Sequence, residues 1–494
     1  MMIVKSNKPQ FEYDIHSLIK AFYPEQEVKL ITPESVVKNM TLLSEKPAMT
    51  LDFGEEQVVF SINTPNSSDM ESIPDEHTYI WKASSNVQSD YKNAFKLFLY
   101  KSLSEETGIE LPWGNLTGIR PTKIAMSMLE QGKSDEEITA FLNKEHLVSA
   151  EKTKLSIEIA KRERRILDTL HYKNGYSLYI GIPFCPTTCL YCSFTSYPIS
   201  VWKKQVSDYL SALEKEIDYV AKAYRDKVLD TIYIGGGTPT SLSVEELERL
   251  LGKIKSSFEL STLQEFTVEA GRADSITEDK LTVLKRYGVT RISVNPQTMK
   301  KETLQLIGRQ HTVEQVIEAF HMARRVGFDN INMDIILGLP GEKEEDVKNT
   351  INEIEALAPD SLTIHSLAIK RAAAMQSWIS EHGISGLHNT EEMMRIATDG
   401  AHRMSMVPYY LYRQKNMAGN YENVGYARDG KYGIYNILIM EEKQTIVALG
   451  AGTITKRVFP DGRIERCDNV KDVALYIEKI DEMIERKRKL IETE

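Results

Sequence analysis

The chain has 494 residues, 41% of them hydrophobic and 27% charged, with 61 basic against 71 acidic side chains and a formal net charge of −10. That length exceeds one ordinary core and suggests several domains, while an acidic balance argues against a general nucleic-acid binder, which carries a basic excess. No apolar run approaches the roughly 18 residues of a membrane span, and the start, Met1-Met2-Ile3-Val4-Lys5-Ser6, lacks the long apolar stretch of a signal peptide; a cytoplasmic protein is expected.

Residues 1–115 read as an N-terminal α/β domain. Ala48 to Phe53 and Gln57 to Asn63 are strand-like around Gly54-Glu55-Glu56, the pattern of a hairpin. Asn86 to Leu103 is helical, with Tyr91, Phe95, Phe98 and Leu99 on an apolar stripe. Residues 116–172 follow as a helical connector, with helices expected over 122–131, 135–143 and 149–170.

From residue 173 to 406 the rhythm changes. Strand-like runs at Ser177–Pro183, Thr231–Gly235, Phe266–Ala270, Arg291–Val294, Ile331–Leu337 and Leu362–Leu367 alternate with helical patterns near 202–224, 243–257, 277–287, 312–326, 344–357 and 390–405. Six β-then-α units predict a parallel sheet with right-handed crossovers. Such a sheet fits a partial (β/α)6 barrel of the TIM type, or an open doubly wound sheet. In both, chemistry belongs at the C-terminal ends of the strands. Residues 407–494 are expected to form a C-terminal α+β extension: strands at Tyr409–Tyr412, Gly433–Met440 and Thr445–Leu449, a loop over Asn416–Tyr432, and a charged terminal helix over Val470–Ile491.

Only four cysteines occur, and three fall within eight residues directly after the first barrel strand: Phe184-Cys185-Pro186-Thr187-Thr188-Cys189-Leu190-Tyr191-Cys192. Thiolates clustered on a short loop suit an iron–sulfur cluster or zinc. A structural zinc wants four ligands, and the fourth cysteine, Cys467, is remote in sequence. Three ligands fit a 4Fe–4S cubane with one iron left open. Two further features stand out: the glycines of Gly235-Gly236-Gly237-Thr238-Pro239-Thr240 after the second strand, and polar residues at or just after later strands. A glycine triplet alone marks a tight turn as readily as a ligand cradle.

At the cysteine loop the chain resembles the radical S-adenosylmethionine (SAM) superfamily, and more narrowly the oxygen-independent coproporphyrinogen III oxidase group and its HemZ-type branch. The resemblance runs over about residues 112–455 and includes Trp113 to Lys123 and Tyr412 to Asn420. It implies a 4Fe–4S cluster on Cys185, Cys189 and Cys192, with SAM on its open iron as the source of an adenosyl radical. It places near SAM Tyr179, Tyr191, Gly236, Gly237, Thr238, Glu269 (amino group), Gln297 and Asp334 (ribose), Arg309 (carboxylate), and the apolar Ala368 and Ile454. It implies a porphyrinogen substrate, oxidative decarboxylation to a vinyl product, and an electron donor such as a flavodoxin or ferredoxin. A substrate with several carboxylates needs basic partners; Lys370, Arg371 and Arg413 are the candidates. Two departures bear on function. Phe194 stands where the well-studied oxidase has a fourth cysteine, and Tyr435-Asn436 stands where the haem chaperones of the HemW type carry His-Asn. A haem- or porphyrin-binding protein that keeps a SAM site, or a radical SAM enzyme acting on another substrate, are the alternatives.

Overall fold

A computed structural model describes residues 1–35, 46–64, 75–82, 88–118, 120–194, 196–368, 375–383, 387, 389–414 and 421–492. The described residues group into two units, 1–157 with 413–416, and 158–412 with 417–494.

In the first unit, strands β1 (Met2–Ser6), β2 (Val28–Ile31), β3 (Met49–Phe53), β4 (Gln57–Thr64) and β5 (Asp75–Lys82) form one sheet in the order β2-β1-β3-β4-β5. The β3–β4 hairpin is antiparallel, as its sequence predicts. Helices Glu12–Phe22 and Gln88–Thr107 bury Ile15, Leu18, Ile19, Phe95 and Leu99 against Val4, Leu51 and Phe60 of the sheet. Four elements escape the sequence reading: β1, the helix Glu12–Phe22, β2, and β5, whose residues Asp-Glu-His-Thr are too polar to announce a strand.

The second unit is built on an eleven-stranded sheet. Six of its parallel strands are β6 (Gly175–Ile182), then, beyond the short pair β7 (Phe184–Cys185) and β8 (Tyr197–Pro198), β9 (Val228–Gly236), β10 (Glu265–Gly271), β11 (Arg291–Val294), β12 (Ile331–Leu337) and β13 (Ser361–Ser366). They lie side by side in chain order. Their near-continuous apolar runs are what a sheet covered on both faces requires. Four of the helices that follow begin at a side-chain cap: Ser243, Thr277, Thr312 and Thr390 accept from backbone amides of the first turn. The mixed α/β architecture and the partial barrel agree with the sequence expectation.

The chain after residue 406 enters this same sheet. β14 (Val407–Tyr412) and β15 (Asn423–Ala427) add antiparallel beyond β13, while β16 (Thr445–Leu449) pairs parallel with β6 and carries β17 (Ile454–Val458) and β18 (Ile464–Asp468) outward. Three expectations are corrected. Part of the expected loop 416–432 is β15. The expected terminal helix is two, Val473–Glu478 and Ile480–Glu492. The expected strand 433–440 is a helix, Ile434–Glu441. An apolar run of that length fits either form; the Glu265 carboxylate decides it by accepting the Ile434 and Tyr435 amides at 2.6 and 3.3 Å, satisfying the first turn of a helix.

The terminal helix is bound by a buried ion pair. Lys487 Nζ lies 2.6 Å from Glu216 Oε1, and both side chains are fully buried. Glu216 also accepts from the Gly450 amide, Asn469 and the Tyr476 hydroxyl. Lys487→Met should leave the Glu216 carboxylate buried without its cation and lower stability by about 3–5 kcal/mol, read as a shift of the urea unfolding transition. Combining it with Glu216→Gln should recover most of the loss. An unchanged transition in the single variant would refute this role for the pair.

Candidate functional site

One face of the sheet carries a line of half-open positions. On β6, β9, β10, β12 and β13 almost every residue is buried except Tyr179, Tyr233, Glu269, Asp334 and His365, which are partly open. Residues paired in a parallel ladder share a face, as do residues two apart. Tyr179 pairs with Tyr233, Tyr233 with Thr267, Glu269 with Ser293, Ser293 with Asn332, and Ile336 with His365. All five residues therefore look to the same side, where polar groups can meet a ligand.

The carboxylates on this line have opposite tendencies. Glu269 accepts from the Tyr233 hydroxyl at 2.5 Å. Burial, with the nearby charge of Asp334, pushes its carboxyl up to about 7 against the hydrogen bonds of Tyr233 and the Gly236 amide. Burial pushes Asp334 up too, but His365, Asn332 and Thr363 outweigh it and hold this carboxyl below its usual value. Asn332 Nδ2 is 2.7 Å and His365 Nε2 3.9 Å away. Beneath them Tyr435 stacks on Tyr233 with ring centres 4.5 Å apart, and Tyr179 joins the stack at 6.0 Å.

The cysteine loop sits at the C-terminal ends of β6 and β9 and is held by the glycine segment. The Gly237 amide donates to the Ile182 carbonyl and the Thr238 amide to the Phe184 carbonyl, both at 2.7 Å. Thr238 Oγ1 is 3.4 Å from Cys185 Sγ. A Cβ on Gly237 would stand 3.0 Å from Cys185 Sγ and 2.6 Å from the Phe184 carbonyl, so a side chain there would displace the first thiol. On the far side of the loop the Leu190 amide donates to the Ile307 carbonyl, and Thr187 Oγ1 to the Gly308 carbonyl. Arg309 donates to the Tyr191 hydroxyl at 2.9 Å and the Asn295 carbonyl at 2.6 Å.

Cys185 and Cys189 are buried and Cys192 is half-buried. Burial pushes the Cys185 thiol up to about 11. Among the described residues no three thiols, imidazoles or carboxylates stand at the spacing of ligands to one ion; a cubane asks something looser, because each of its thiolates bonds a different iron. The polar groups also fit SAM. Gln297 holds a left-handed backbone, φ 66°, rare outside glycine and a mark of functional strain. Two backbone hydrogen bonds to β12, at Asp334 and Ile336, keep it there. Gln297 Oε1 and Asn295 Oδ1 are buried with no hydrogen-bond partner among the described residues, as acceptors awaiting a ligand's donors would be.

The expected residues thus divide. Tyr179, Tyr191, Gly236, Gly237, Thr238, Glu269, Gln297, Arg309 and Asp334 lie on the marked face or around the loop at its strand ends. Ala368 follows β13 and is half-buried. Ile454 opens β17, two strands from β6, and is 47% exposed. Lys370 and Arg371 fall outside the described residues. Arg413 groups with the first unit, where it donates to the Leu116 carbonyl. Phe194, in the place of a fourth cysteine, is exposed, and Cys467 lies on β18, three strands from β6. Sequence reasoning missed Tyr233, His365 and Arg272. The first two are signalled by strand register: Tyr233 pairs with Tyr179, and His365 pairs with Ile336, two residues beyond Asp334.

Comparison with known proteins gives the family. Residues 179–354 match the radical SAM superfamily model. The chain is 42% identical over 428 residues, 85% of each chain, to the oxygen-independent coproporphyrinogen-III oxidase-like protein HemZ of Bacillus subtilis. It is 41% identical over 196 residues, 39% of this chain and 51% of the other, to the heme chaperone HemW of the same organism. Its fold matches the coproporphyrinogen III oxidase HemN of Escherichia coli with a TM-score of 0.51, at 22% identity, over 65% of this chain and 72% of that one. A 4Fe–4S cluster and SAM are the cofactors of the superfamily. No helix among the described residues is long and apolar enough to cross a membrane. With its thiol loop at the strand ends and its polar line beside it, the chain belongs to the oxygen-independent coproporphyrinogen III oxidase-like family of radical SAM proteins.

Proposed function

We propose that this protein carries out the oxygen-independent oxidative decarboxylation of coproporphyrinogen III to protoporphyrinogen IX, with Cys185, Cys189 and Cys192 holding the cluster. When bound, cluster and SAM together supply a carbon radical able to take a hydrogen atom from an unactivated carbon. On each of two propionate side chains, the carbon next to the pyrrole gives up a hydrogen atom; loss of carbon dioxide and one electron then leaves a vinyl group. The electron passes to a one-electron acceptor, and a low-potential donor such as a flavodoxin or ferredoxin supplies the electron that starts each cycle.

The chain's own residues do the positioning. Glu269 would meet the amino group of SAM, Asp334 and Gln297 its ribose hydroxyls, and Arg309 its carboxylate. Tyr179, Tyr233 and Tyr435 close the floor beneath and keep water out. Tyr191, with its hydroxyl tied to Arg309, would wall the adenine side. Lys370 and Arg371 are the proposed partners of substrate carboxylates.

The observation that carries this reading over a haem chaperone is Tyr435. At the position where the resemblance puts the chaperones' histidine, this chain has a phenol, packed against both Tyr233 and Tyr179 and buried to 7% exposure. A ring so placed offers haem iron no nitrogen ligand.

Two measurements test the proposal. Anaerobically reconstituted protein given SAM, a reductant and coproporphyrinogen III should form 5′-deoxyadenosine and vinyl products, and Cys189→Ala should form neither. Deoxyadenosine without a vinyl product, together with tight haem binding, would reject the decarboxylase in favour of the chaperone. The second concerns pH. The Glu269 carboxyl titrates near 7, and a cationic amino group selects its ionised form. SAM affinity of the cluster-loaded protein should therefore rise with pH, by up to about tenfold per unit below 7, and level off above. Glu269→Gln should bind more weakly with a flat profile. A flat profile in the parent protein would remove Glu269 from the site.

A further inference from the structure

β10 ends in a bulge. Its ladder with β11 slips between Glu269 and Gly271, leaving Ala270 unpaired, and Gly271 takes a left-handed backbone with φ 54°. Bulges re-aim the side chains that follow them. Here the following residue is Arg272, buried to 3% exposure, and it is turned onto the cysteine loop. Its Nη1 donates to the Thr187 carbonyl at 2.9 Å and to Thr187 Oγ1 at 2.7 Å, and stands 3.8 Å from Cys189 Sγ. Its other edge makes a two-point pair with Asp274, Nε to Oδ1 at 3.0 Å and Nη2 to Oδ2 at 2.7 Å. His311, its side chain fully buried, stands 3.8 Å behind Asp274. Burial pushes Asp274 up, but His311 and Arg272 outweigh it and hold this carboxyl far below its usual range. Burial also lowers the proton affinity of His311. The group is therefore a guanidinium–carboxylate pair whose positive end faces a thiol of the loop.

A buried charge is costly unless its partners use it, and nothing in the binding of SAM or substrate described above requires the Arg272 guanidinium, whose partner Asp274 is open to solvent. We propose that Arg272, oriented by Asp274, is a positioning residue for the iron–sulfur cluster: it fixes the backbone between the first two cysteines and raises the cluster's reduction potential. The reasoning is electrostatic. Reduction adds one negative charge to the cluster, and a cation beside a ligating sulfur stabilises that charge; hydrogen bonding, net charge and burial are the levers by which a protein sets such potentials. Asp274 opposes the effect from farther away. The proposal rests on the reading that Cys189 is a cluster ligand but is independent of the substrate: iron retained in full by Cys189→Ala would defeat that reading, and a missing porphyrin product would leave this proposal standing.

The opposed charges give a signature that a merely structural role lacks. The midpoint potential of the anaerobically reconstituted cluster, followed by electron paramagnetic resonance in a redox titration, should fall in Arg272→Gln and rise in Asp274→Asn. Each shift should be at least tenfold in the reduced-to-oxidised ratio at fixed poise, about 59 mV for a one-electron couple. Arg272→Lys, which keeps the charge, should stay near the parent potential. If Arg272→Gln takes up no iron, Asp274→Asn decides, because Asp274 accepts both hydrogen bonds that orient Arg272: a rise supports the proposal, and an unchanged or lowered potential overturns it. Loaded Arg272→Gln and Asp274→Asn proteins that both match the parent, or both shift in one direction, also overturn it.

Discussion

The site depends on one junction: the two amides of Gly237 and Thr238 donating to the carbonyls of Ile182 and Phe184. A strand end normally releases its backbone into solvent-facing loop. Here β9 keeps bonding past the last residue of β6, so the first cysteine stays tied to the rigid sheet. The close approach leaves no room for a Cβ at Gly237, which is the physical reason for glycine there. From that fixed point the loop runs over Thr187, held from β10, to Leu190 and Tyr191, held from the segment after β11. Three successive strand ends thus set three successive stretches of one loop. The second anchor set is the strand register, which gathers a residue from each of five strands onto one face.

Much of this was legible in the sequence because parallel strands buried on both faces write themselves as unbroken apolar runs. All six were found. The thiol spacing and the glycine triplet were equally plain, since both are local. What was not legible depended on contacts distant in sequence. The run from Ile434 to Met440 reads as strand or helix with equal ease, and its choice is made by Glu265, on another strand. Nothing in the sequence around Arg272 marks it, because the bulge at Ala270 is what directs it inward. Tyr233 and His365 were hidden for a different reason: their pairing partners, not their neighbours in the chain, identify them.

The two carboxylates of the site illustrate how one face can hold acids in different states. Glu269 and Asp334 share a buried setting, and burial alone would raise both. A hydroxyl and an amide do not overcome that for Glu269, while an imidazole, an amide and a hydroxyl do for Asp334. The sheet thus offers one carboxylate ready to accept hydroxyl donors and a second whose charge is drawn out most readily by a cation.

The placement of β16 has a consequence for how the molecule comes into being. β6, the strand that leads into the thiol loop, is paired on one side with β9 but on the other with β16, Ile180 opposite Leu449. The Glu216 carboxylate meets its cation only on the last helix. A nascent chain therefore presents β6 with one open edge while most of the remaining sequence is still being made. Loop closure over such a span is slow, and an open edge invites wrong partners. The strand that leads into the thiol loop is thus made early and completed late, once synthesis has reached β16.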